Sequence, residues 1–273
     1  MTLRKAIIEA ARRLGASSNT PRLDAELLAA YALGISRERL LLAHLDGRVP
    51  EGFAELVARR AGGEPVAYII GIRDFWTISL AVGPGALIPR PDSETLIEAA
   101  VAHFGDRSPK RILDLGTGSG ALLLASLDQW PDATGIGIDR SEAAIAIAQE
   151  NARRLGMADR ARIMSGNWTD GLDERFDLIL CNPPYIEVGA SLPRDVVEHE
   201  PASALYAGED GLEDYRRLAP ETGRLLTPGG AAFFEIGASQ GPTVSALFRA
   251  LGHEPRVIRD LAGHDRCVVV EVW

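Results

Sequence analysis

The first 65 residues carry apolar side chains at the three- and four-residue spacing of amphipathic helices. This pattern predicts four short helices, separated by glycines, by Thr20-Pro21 and by the capping residue Ser36. Their apolar positions are Leu3, Ile7, Ala10, Ala11 and Leu14, then Leu23, Leu27, Leu28 and Tyr31, then Leu40, Leu41 and Leu45, and last the run from Pro50 to Arg60. Four short helices joined by brief loops indicate a small bundle.

The pattern changes between Pro65 and Pro89. Residues 75–82 have the composition of a β-strand, and Gly83-Pro84-Gly85 interrupts them before the apolar residues 86–88. We therefore expect a β-hairpin linker over residues 73–90. The proline-containing, acidic segment from Pro89 to Glu94 then predicts the first turn of a helix.

Strands and helices alternate from Arg111 onward. The predicted strands cover residues 112–115, 134–138, 161–164, 176–181, 231–236, 256–258 and 267–272, and the predicted helices cover 120–130, 141–155, 211–226 and 240–251. This alternation is typical of an α/β domain with a mainly parallel sheet, here of seven strands, covered by helices on both faces. Only residues 260–265 separate the last two strands, too few for a crossover helix, so we expect an antiparallel last strand.

Four residues, Asn182-Pro183-Pro184-Tyr185, follow the strand predicted over 176–181. In open α/β sheets ligands bind beyond the carboxyl ends of the strands. Two consecutive prolines fix φ and remove two N–H donors, so their carbonyl groups are free to face a ligand. Asn182 precedes a proline and is restricted to extended geometry, which directs its side chain forward. Taken alone, the segment fits a turn that merely ends the strand equally well.

The first strand of the predicted sheet ends in a glycine-rich turn, Asp114-Leu115-Gly116-Thr117-Gly118-Ser119-Gly120. It lacks both the Gly-x-Gly-x-x-Gly spacing of dinucleotide sites and the lysine of a phosphate loop. Asp139 ends the next strand, where a carboxylate accepts hydrogen bonds from both hydroxyls of a ribose. Asp114 is placed either to hold the loop or to meet an ammonium group. Together these features indicate a nucleoside cofactor without phosphates, and S-adenosylmethionine is the leading candidate.

Two further side chains have alternative interpretations. Trp168 follows the strand predicted over 161–164, where its ring either packs in the core or borders the adenine of the cofactor. His199 lies in the loop after Asn182–Tyr185, and we interpret it as a structural residue rather than a base.

Composition and charge exclude several classes of protein. No apolar run reaches the roughly 18 residues of a membrane span, and the start lacks a secretory signal, so we expect a cytoplasmic protein without membrane contact. The net charge of −9 argues against broad binding to nucleic acid. Residues 1–73 nevertheless carry a net charge of about +3 and the rest about −12, which reflects either scattered surface charge or a partner-binding N-terminal part.

Cys181 and Cys267 lie in separate apolar runs, which predicts two buried thiols and no metal site.

Several motifs, taken together and in order, resemble one family. The glycine-rich turn combined with Asn-Pro-Pro-Tyr is similar to class I S-adenosylmethionine-dependent methyltransferases that modify a planar nitrogen. The chain also carries Gly63–Gly71, Asp74–Trp76, Leu87–Glu94, Gly208–Leu212 and Glu235–Gly237. With these motifs the chain most resembles the HemK/PrmC family, over nearly its whole length. Trp76-Thr77 departs from the aromatic-Gly pair frequent in that family.

The resemblance implies an enzyme that transfers a methyl group from S-adenosylmethionine to the side-chain amide nitrogen (N5) of the glutamine in the GGQ motif of class I peptide chain release factors, modulating translation termination. It places the cofactor at Asp114, Gly116, Thr117, Gly118, Ser119, Gly120, Asp139, Trp168 and Asn182. It places the substrate at Arg90, Asn182, Pro183, Pro184 and Tyr185, of which Asn182, Pro183 and Tyr185 are the expected catalytic residues.

The expected chemistry needs no strong base, because the nitrogen loses its proton easily once it has taken the methyl group from the sulfonium and become quaternised. An amide nitrogen is a poor nucleophile because its lone pair is delocalised into the carbonyl group. The Asn182 side-chain oxygen and the Pro183 carbonyl oxygen are each expected to accept one N–H of the substrate amide, which turns its lone pair toward the methyl group. Tyr185 is expected to pack on the flat amide and exclude water.

We expect three parts: a helical substrate-recognition domain over 1–72, the hairpin linker over 73–90 and a methyltransferase domain over 91–273. We expect the protein to act as a monomer without a nucleic-acid substrate.

Three alternative functions stay open. One is a glutamine methyltransferase acting on a ribosomal protein. A second, a DNA adenine N6-methyltransferase, is disfavoured by the acidic C-terminal 200 residues. The third, a non-catalytic binding protein on the same fold, is opposed by the intact motifs.

Overall fold

The computed structural model describes residues 1–272, so Trp273, the end of the predicted methyltransferase domain, lies outside the described residues. The chain divides into two compact units. One contains Met1–Ile72 together with Leu192–His199, and the other contains Arg73–Ser191 and the chain from Glu200 onward. The inclusion of residues 192–199 in the N-terminal unit was not predicted from the sequence.

The N-terminal unit is helical, as predicted. Its elements are α1 (Leu3–Leu14), α2 (Pro21–Leu33), α3 (Arg37–Arg39) continuing as a π-helical turn over Leu40–His44, α4 (Phe53–Ala61), α5 (Val66–Ile70) and a short helix over Arg194–His199. The fifth helix was not anticipated. It is a single turn that follows Pro65 and stops at Gly71, whose φ of 73° lies in the left-handed region that favours glycine.

The core of this unit comes from the apolar positions identified in the sequence, among them the fully buried Leu3, Ile7, Leu14, Leu28 and Leu40. One ion pair is buried with them. The Arg60 guanidinium lies 2.7 Å from the Asp24 carboxylate, and the two side chains are only 7% and 8% exposed. Arg60 also lies 3.5 Å from Asp195, on the short helix supplied by residues 192–199.

The predicted hairpin exists, but its turn was misplaced. The two paired strands are β1 (Ile72–Phe75) and β2 (Ile78–Ala81), so the chain reverses at Trp76-Thr77 and residues 86–88 are loop. Trp76 adopts a φ of 53°, unusual for a bulky residue. Its backbone N–H is held at 3.0 Å by the Glu94 carboxylate, which compensates for the strained turn. The Gly83-Pro84-Gly85 signal marks a loop rather than the turn of the hairpin.

The second unit is an α/β domain. After a 3₁₀ turn at Pro91–Ser93, its helices are α6 (Glu94–Phe104), α7 (Ala121–Gln129), α8 (Glu142–Arg154), α10 (Glu213–Leu225) and α11 (Gly241–Arg249). The label α9 is given to the short helix Arg194–His199 of the first unit. Its strands are β3 (Arg111–Leu115), β4 (Thr134–Asp139), β5 (Ala161–Ser165), β6 (Phe176–Cys181), β7 (Leu226–Glu235), β8 (Arg256–Arg259) and β9 (Asp265–Glu271).

The seven strands form one sheet in the order β5-β4-β3-β6-β7-β9-β8. Neighbours from β5 to β7 pair in parallel, and β9 is antiparallel to both β7 and β8, which confirms the prediction. Neighbouring residues of β3 face opposite cores, with Ile112 in one cluster and Leu113 in the other. Cys181 and Cys267 are buried free thiols, as expected. Within residues 1–272, no helix is both long and apolar enough to cross a membrane.

The buried Arg60–Asp24 pair yields a stability prediction. Asp24→Ala leaves a buried guanidinium short of its main counter-charge, so we expect a loss of about 3 kcal/mol in unfolding free energy. Urea unfolding followed by circular dichroism should show it, whereas tryptophan fluorescence should change little because all four tryptophans lie outside residues 1–72. Asp46→Ala is the matched control, because Asp46 pairs with Arg4 while 83% exposed and should contribute less than about 1 kcal/mol. Equal losses in the two variants would contradict the prediction.

Candidate active site

A cleft opens in the second unit beside the carboxyl ends of β3, β4 and β6. It contains about 970 Å³ of empty space, open solvent at its mouth included, which is enough for a ligand of nucleoside size. The predicted site residues that line it are Arg90, Asp114, Gly116, Thr117, Gly118, Ser119, Asp139, Trp168, Asn182 and Pro184. Three others, Gly120, Pro183 and Tyr185, are not part of its lining.

Asp114 holds the glycine-rich turn and is 1% exposed. Its Oδ2 accepts hydrogen bonds from the Thr117 hydroxyl at 2.6 Å and from the Leu123 backbone N–H at 3.2 Å. Its Oδ1 is buried without a hydrogen-bond partner. Burial raises the pKa of Asp114 from 3.8 to about 7, although the two hydrogen bonds oppose the shift. Both sequence-based roles therefore remain available to it, because one oxygen holds the loop and the other is free.

Asp139, at the end of β4, ties two loops together. Its Oδ2 accepts from the Gly118 N–H at 2.9 Å, and its Oδ1 accepts from the Ser141 N–H at 2.9 Å. Each carboxylate oxygen has a second lone pair, so the group can still accept from a ligand. Asp139 therefore fixes the glycine turn against the next loop and presents negative charge to the cleft.

Trp168 and Gly116 close one side of the cleft. A β-carbon on Gly116 would lie 3.1 Å from the Trp168 ring, so only glycine, with its φ of 71°, allows this close approach. Trp168 itself has a φ of 58°, and its indole N–H donates to the Asp214 carboxylate at 3.0 Å. The ring is partly buried against the core, as one interpretation expected, and it also lines the cleft, where a contact with the adenine stays a prediction.

Asn182, at the end of β6, belongs to a hydrogen-bond chain that leads into the protein. Its Nδ2 donates to the Ser93 hydroxyl oxygen at 3.0 Å, and the Ser93 hydroxyl donates to Oε2 of Glu235 at 2.5 Å. The Tyr185 hydroxyl donates to the other oxygen of the same carboxylate, Oε1, at 3.3 Å. Two residues of the Asn-Pro-Pro-Tyr segment are thus anchored to one buried acid.

Glu235 is 1% exposed, at the end of β7. Burial raises its pKa to about 7, and the hydrogen bonds from Ser93 and Tyr185 and the positive charge of Arg266 work in the opposite direction. Burial also raises the pKa of Tyr185, with the negative charge of Glu235 adding to the effect, so the phenol stays protonated and donates. The carboxyl group of Glu235 therefore changes its charge near pH 7.

Arg90 lines the cleft but is already paired. Its Nη2 lies 2.5 Å from Oε1 of Glu200, whose side chain is only 2% exposed, and Oε2 of Glu200 accepts the Ile88 N–H at 3.1 Å. The neighbouring His199 belongs to the N-terminal unit, and its Nε2 is buried without a hydrogen-bond partner. Arg90 is therefore fixed in place by the buried Glu200.

Sequence reasoning assigned no role to three residues that shape this site. Ser93 and Glu235 connect to Asn182 as described, and the Gln240 side-chain amide donates to the Tyr185 carbonyl oxygen at 3.0 Å. Ser93 and Glu235 stand within motifs noted for their resemblance, Leu87–Glu94 and Glu235–Gly237. These motifs could have drawn attention to Ser93 and Glu235, but a motif alone does not show which residues are in contact.

Comparison with solved structures identifies the class of fold. The crystal structure of the hMettl16 catalytic domain in complex with MAT2A 3'UTR hairpin 6 matches with a TM-score of 0.61, covering 89% of this chain and 91% of that chain at 17% identity. At this identity the likeness shows the fold alone, and the fold is that of the class I methyltransferases, as predicted.

Sequence relatives identify the family. Residues 5–71 match the PrmC N-terminal domain and residues 92–200 match the methyltransferase small domain. The release factor glutamine methyltransferase of Caulobacter vibrioides is 44% identical, covering 98% of this chain and 96% of that protein. The one from Moorella thermoacetica is 41% identical, covering 98% and 97%. The chain belongs to the release factor glutamine methyltransferase family.

Proposed function

We propose that this enzyme transfers a methyl group from S-adenosylmethionine to the side-chain amide nitrogen of a glutamine in a class I peptide chain release factor. The family supports the reaction, and the orientation of Asn182 is the observation that carries it for this chain. The Asn182 nitrogen is engaged by Ser93, which leaves its oxygen free as an acceptor beside the cleft. A primary amide has two N–H donors, so it needs acceptors of this kind.

The residues of the cleft fit a nucleoside cofactor that carries an amino acid. Asp139 at the end of β4 is the group to accept from the ribose hydroxyls, as in other nucleotide-binding α/β folds. Asp114 lines the cleft, and its Oδ1, which has no hydrogen-bond partner, would meet an ammonium group; this contact would return the Asp114 pKa toward its usual acidic range. The backbone of Gly116–Gly120 leaves room for close approach, and Trp168 would border the base.

S-adenosylmethionine would supply a methyl group already activated on a sulfonium. The work of the chain is then to hold the substrate amide. The Asn182 side-chain oxygen and the Pro183 carbonyl would each accept one N–H and turn the nitrogen lone pair toward the methyl group. Such positioning contributes several kcal/mol through orientation alone, on the order of 5 or more. Pro184 lines the cleft together with Asn182, and Tyr185 supports the segment through its hydrogen bond to Glu235.

The substrate is tested directly by mass spectrometry. Intact class I release factor incubated with enzyme and S-adenosylmethionine should gain one methyl group, and peptide fragmentation should place it on the GGQ glutamine. Parallel incubations with ribosomal proteins and with DNA separate the alternatives. Methyl incorporation into either, with none in the release factor, would overturn the proposal.

Two substitutions separate cofactor binding from methyl transfer, and each is the control for the other. Asp139→Ala should weaken S-adenosylmethionine binding by about 1–3 kcal/mol in calorimetry, because ribose hydroxyls lose their acceptor. Asn182→Ala should leave that affinity within about tenfold and slow single-turnover methyl transfer at least ~100-fold. Unchanged affinity in the first variant removes Asp139 from the site, and near-normal transfer in the second removes the acceptor role of Asn182.

We also propose that residues 1–72 recognise the protein substrate, with the hairpin over 73–90 as linker and 91–273 as the methyltransferase domain. The match of residues 5–71 to the PrmC N-terminal domain and the net positive charge of this part support the proposal. A flexible loop that carries one glutamine offers little surface for specificity.

The Asp24→Ala variant tests this recognition role without cutting the chain. At a temperature where circular dichroism shows the N-terminal helices unfolded and fluorescence shows the sheet intact, the KM for release factor should rise at least about tenfold. Cofactor affinity should stay the same. An unchanged KM for release factor under those conditions would refute the role.

A further inference from the structure

We propose that Ser93 and Glu235 are positioning residues for the methyl transfer: they impose one direction on the hydrogen-bond chain from Asn182 through Ser93 to Glu235, and so hold the Asn182 amide with its oxygen toward the substrate. The inference deepens the proposed function and rests on it only for the identity of the substrate.

The direction follows from counting hydrogens. A carboxylate only accepts hydrogen bonds, so the Ser93 hydroxyl must give its single hydrogen to Glu235, 2.5 Å away. The Ser93 oxygen is then left only as an acceptor toward Asn182, which must present its NH₂ group at 3.0 Å. The Asn182 oxygen is consequently turned away from Ser93. An asparagine amide is nearly symmetric in shape, so without this chain its two orientations would differ little in packing.

The buried end of the chain is fixed from several sides. The Tyr185 hydroxyl donates to the second oxygen of Glu235, and the Tyr215 hydroxyl donates to its backbone carbonyl at 2.6 Å. The positive charge of Arg266 and the negative charge of Asp92 act on the carboxyl group in opposite directions. Two further titratable neighbours, on β6 and β9, are the buried thiols of Cys181 and Cys267. Glu235 is therefore held in place while remaining able to change its charge.

Protonation of Glu235 at Oε2 would reverse the chain. The neutral acid can donate to the Ser93 oxygen, and Ser93 can then turn its hydrogen toward Asn182. Asn182 would have to present its oxygen to Ser93 and its NH₂ group to the substrate, where two donors would face each other. The active form is thus the carboxylate, which loses its charge as the pH falls through the folded-state pKa of about 7. Methyl transfer should accordingly slow below this pH and rise above it.

The first test needs no release factor. In the full-length ¹⁵N-labelled enzyme, the Asn182 side-chain NH₂ signals, assigned by their loss in Asn182→Ala, should move as the pH crosses about 7. The transition should vanish in Ser93→Ala and persist in Ser245→Ala, which removes another fully buried serine hydroxyl, on α11. In Tyr185→Phe it should shift to higher pH, because the hydrogen bond from Tyr185 lowers the pKa of Glu235 and its removal lets that pKa rise. Signals that do not respond, or respond unchanged in Ser93→Ala, would overturn the proposal.

The second test follows single-turnover methyl transfer to intact release factor at saturating S-adenosylmethionine. Wild type and Ser245→Ala should show the rate increase through about pH 7. Ser93→Ala should be slower by about tenfold above that pH, the scale of one orienting hydrogen bond, and should lack the increase. Ser93→Thr keeps a hydroxyl and should restore the pH dependence. Asp114 is intact in every variant, so its titration cannot cause the difference.

The outcomes separate this inference from the proposed function. In one outcome, the Asn182 signals respond to pH through Ser93 but the enzyme leaves release factor unmodified. That result would support the hydrogen-bond chain and refute the substrate. Full methyl transfer with the same pH dependence in Ser93→Ala would support the substrate and overturn the chain.

Discussion

The site depends on the parallel pairing of β3 with β4 on one side and β6 on the other. Parallel strands in register end together, so Leu115, Ile138 and Cys181 lie side by side at one edge of the sheet. The three segments that follow them are the glycine-rich turn, Asp139 and the Asn-Pro-Pro-Tyr segment. Residues up to about 70 positions apart therefore meet at this edge. Placing another strand between β3 and β6 would separate the glycine-rich turn from Asn182.

Two buried carboxyl groups, Asp114 and Glu235, hold segments at this edge of the sheet. They are stabilised in different ways. Asp114 is stabilised by a local turn, since Thr117 and Leu123 are close to it in sequence. Glu235 is stabilised by residues from distant parts of the chain, Ser93 and Tyr185. Burying an acid is costly unless such donors are supplied. The first group holds the glycine-rich turn through these hydrogen bonds, and the second connects the segment before α6 to the segment that follows β6.

The sequence predicted the sheet well because each strand is an apolar run with a marked end. The short connection over residues 260–265 also predicted that the last strand runs antiparallel. The Asn182–Tyr185 segment and the glycine turn were found for the same reason, since both directly follow a strand. The hairpin turn was misplaced because Gly83-Pro84-Gly85 is the stronger local signal, whereas Trp76 is held in its turn by Glu94, 18 residues later. Ser93 and Glu235 could not be joined from the sequence, because 142 residues separate them.

The chain crosses between the two units three times, after Ile72, after Ser191 and after His199. The N-terminal unit therefore cannot be completed while the first 72 residues alone have left the ribosome. Asp195, which contributes negative charge near the buried Arg60, is synthesised only after β3 to β6 have been made. During synthesis, the helical unit must either wait in a partly formed state or close around Leu192–His199 late. The helical unit, which is proposed to select the substrate, is thus completed only after strands β3 to β6 of the other unit have been synthesised.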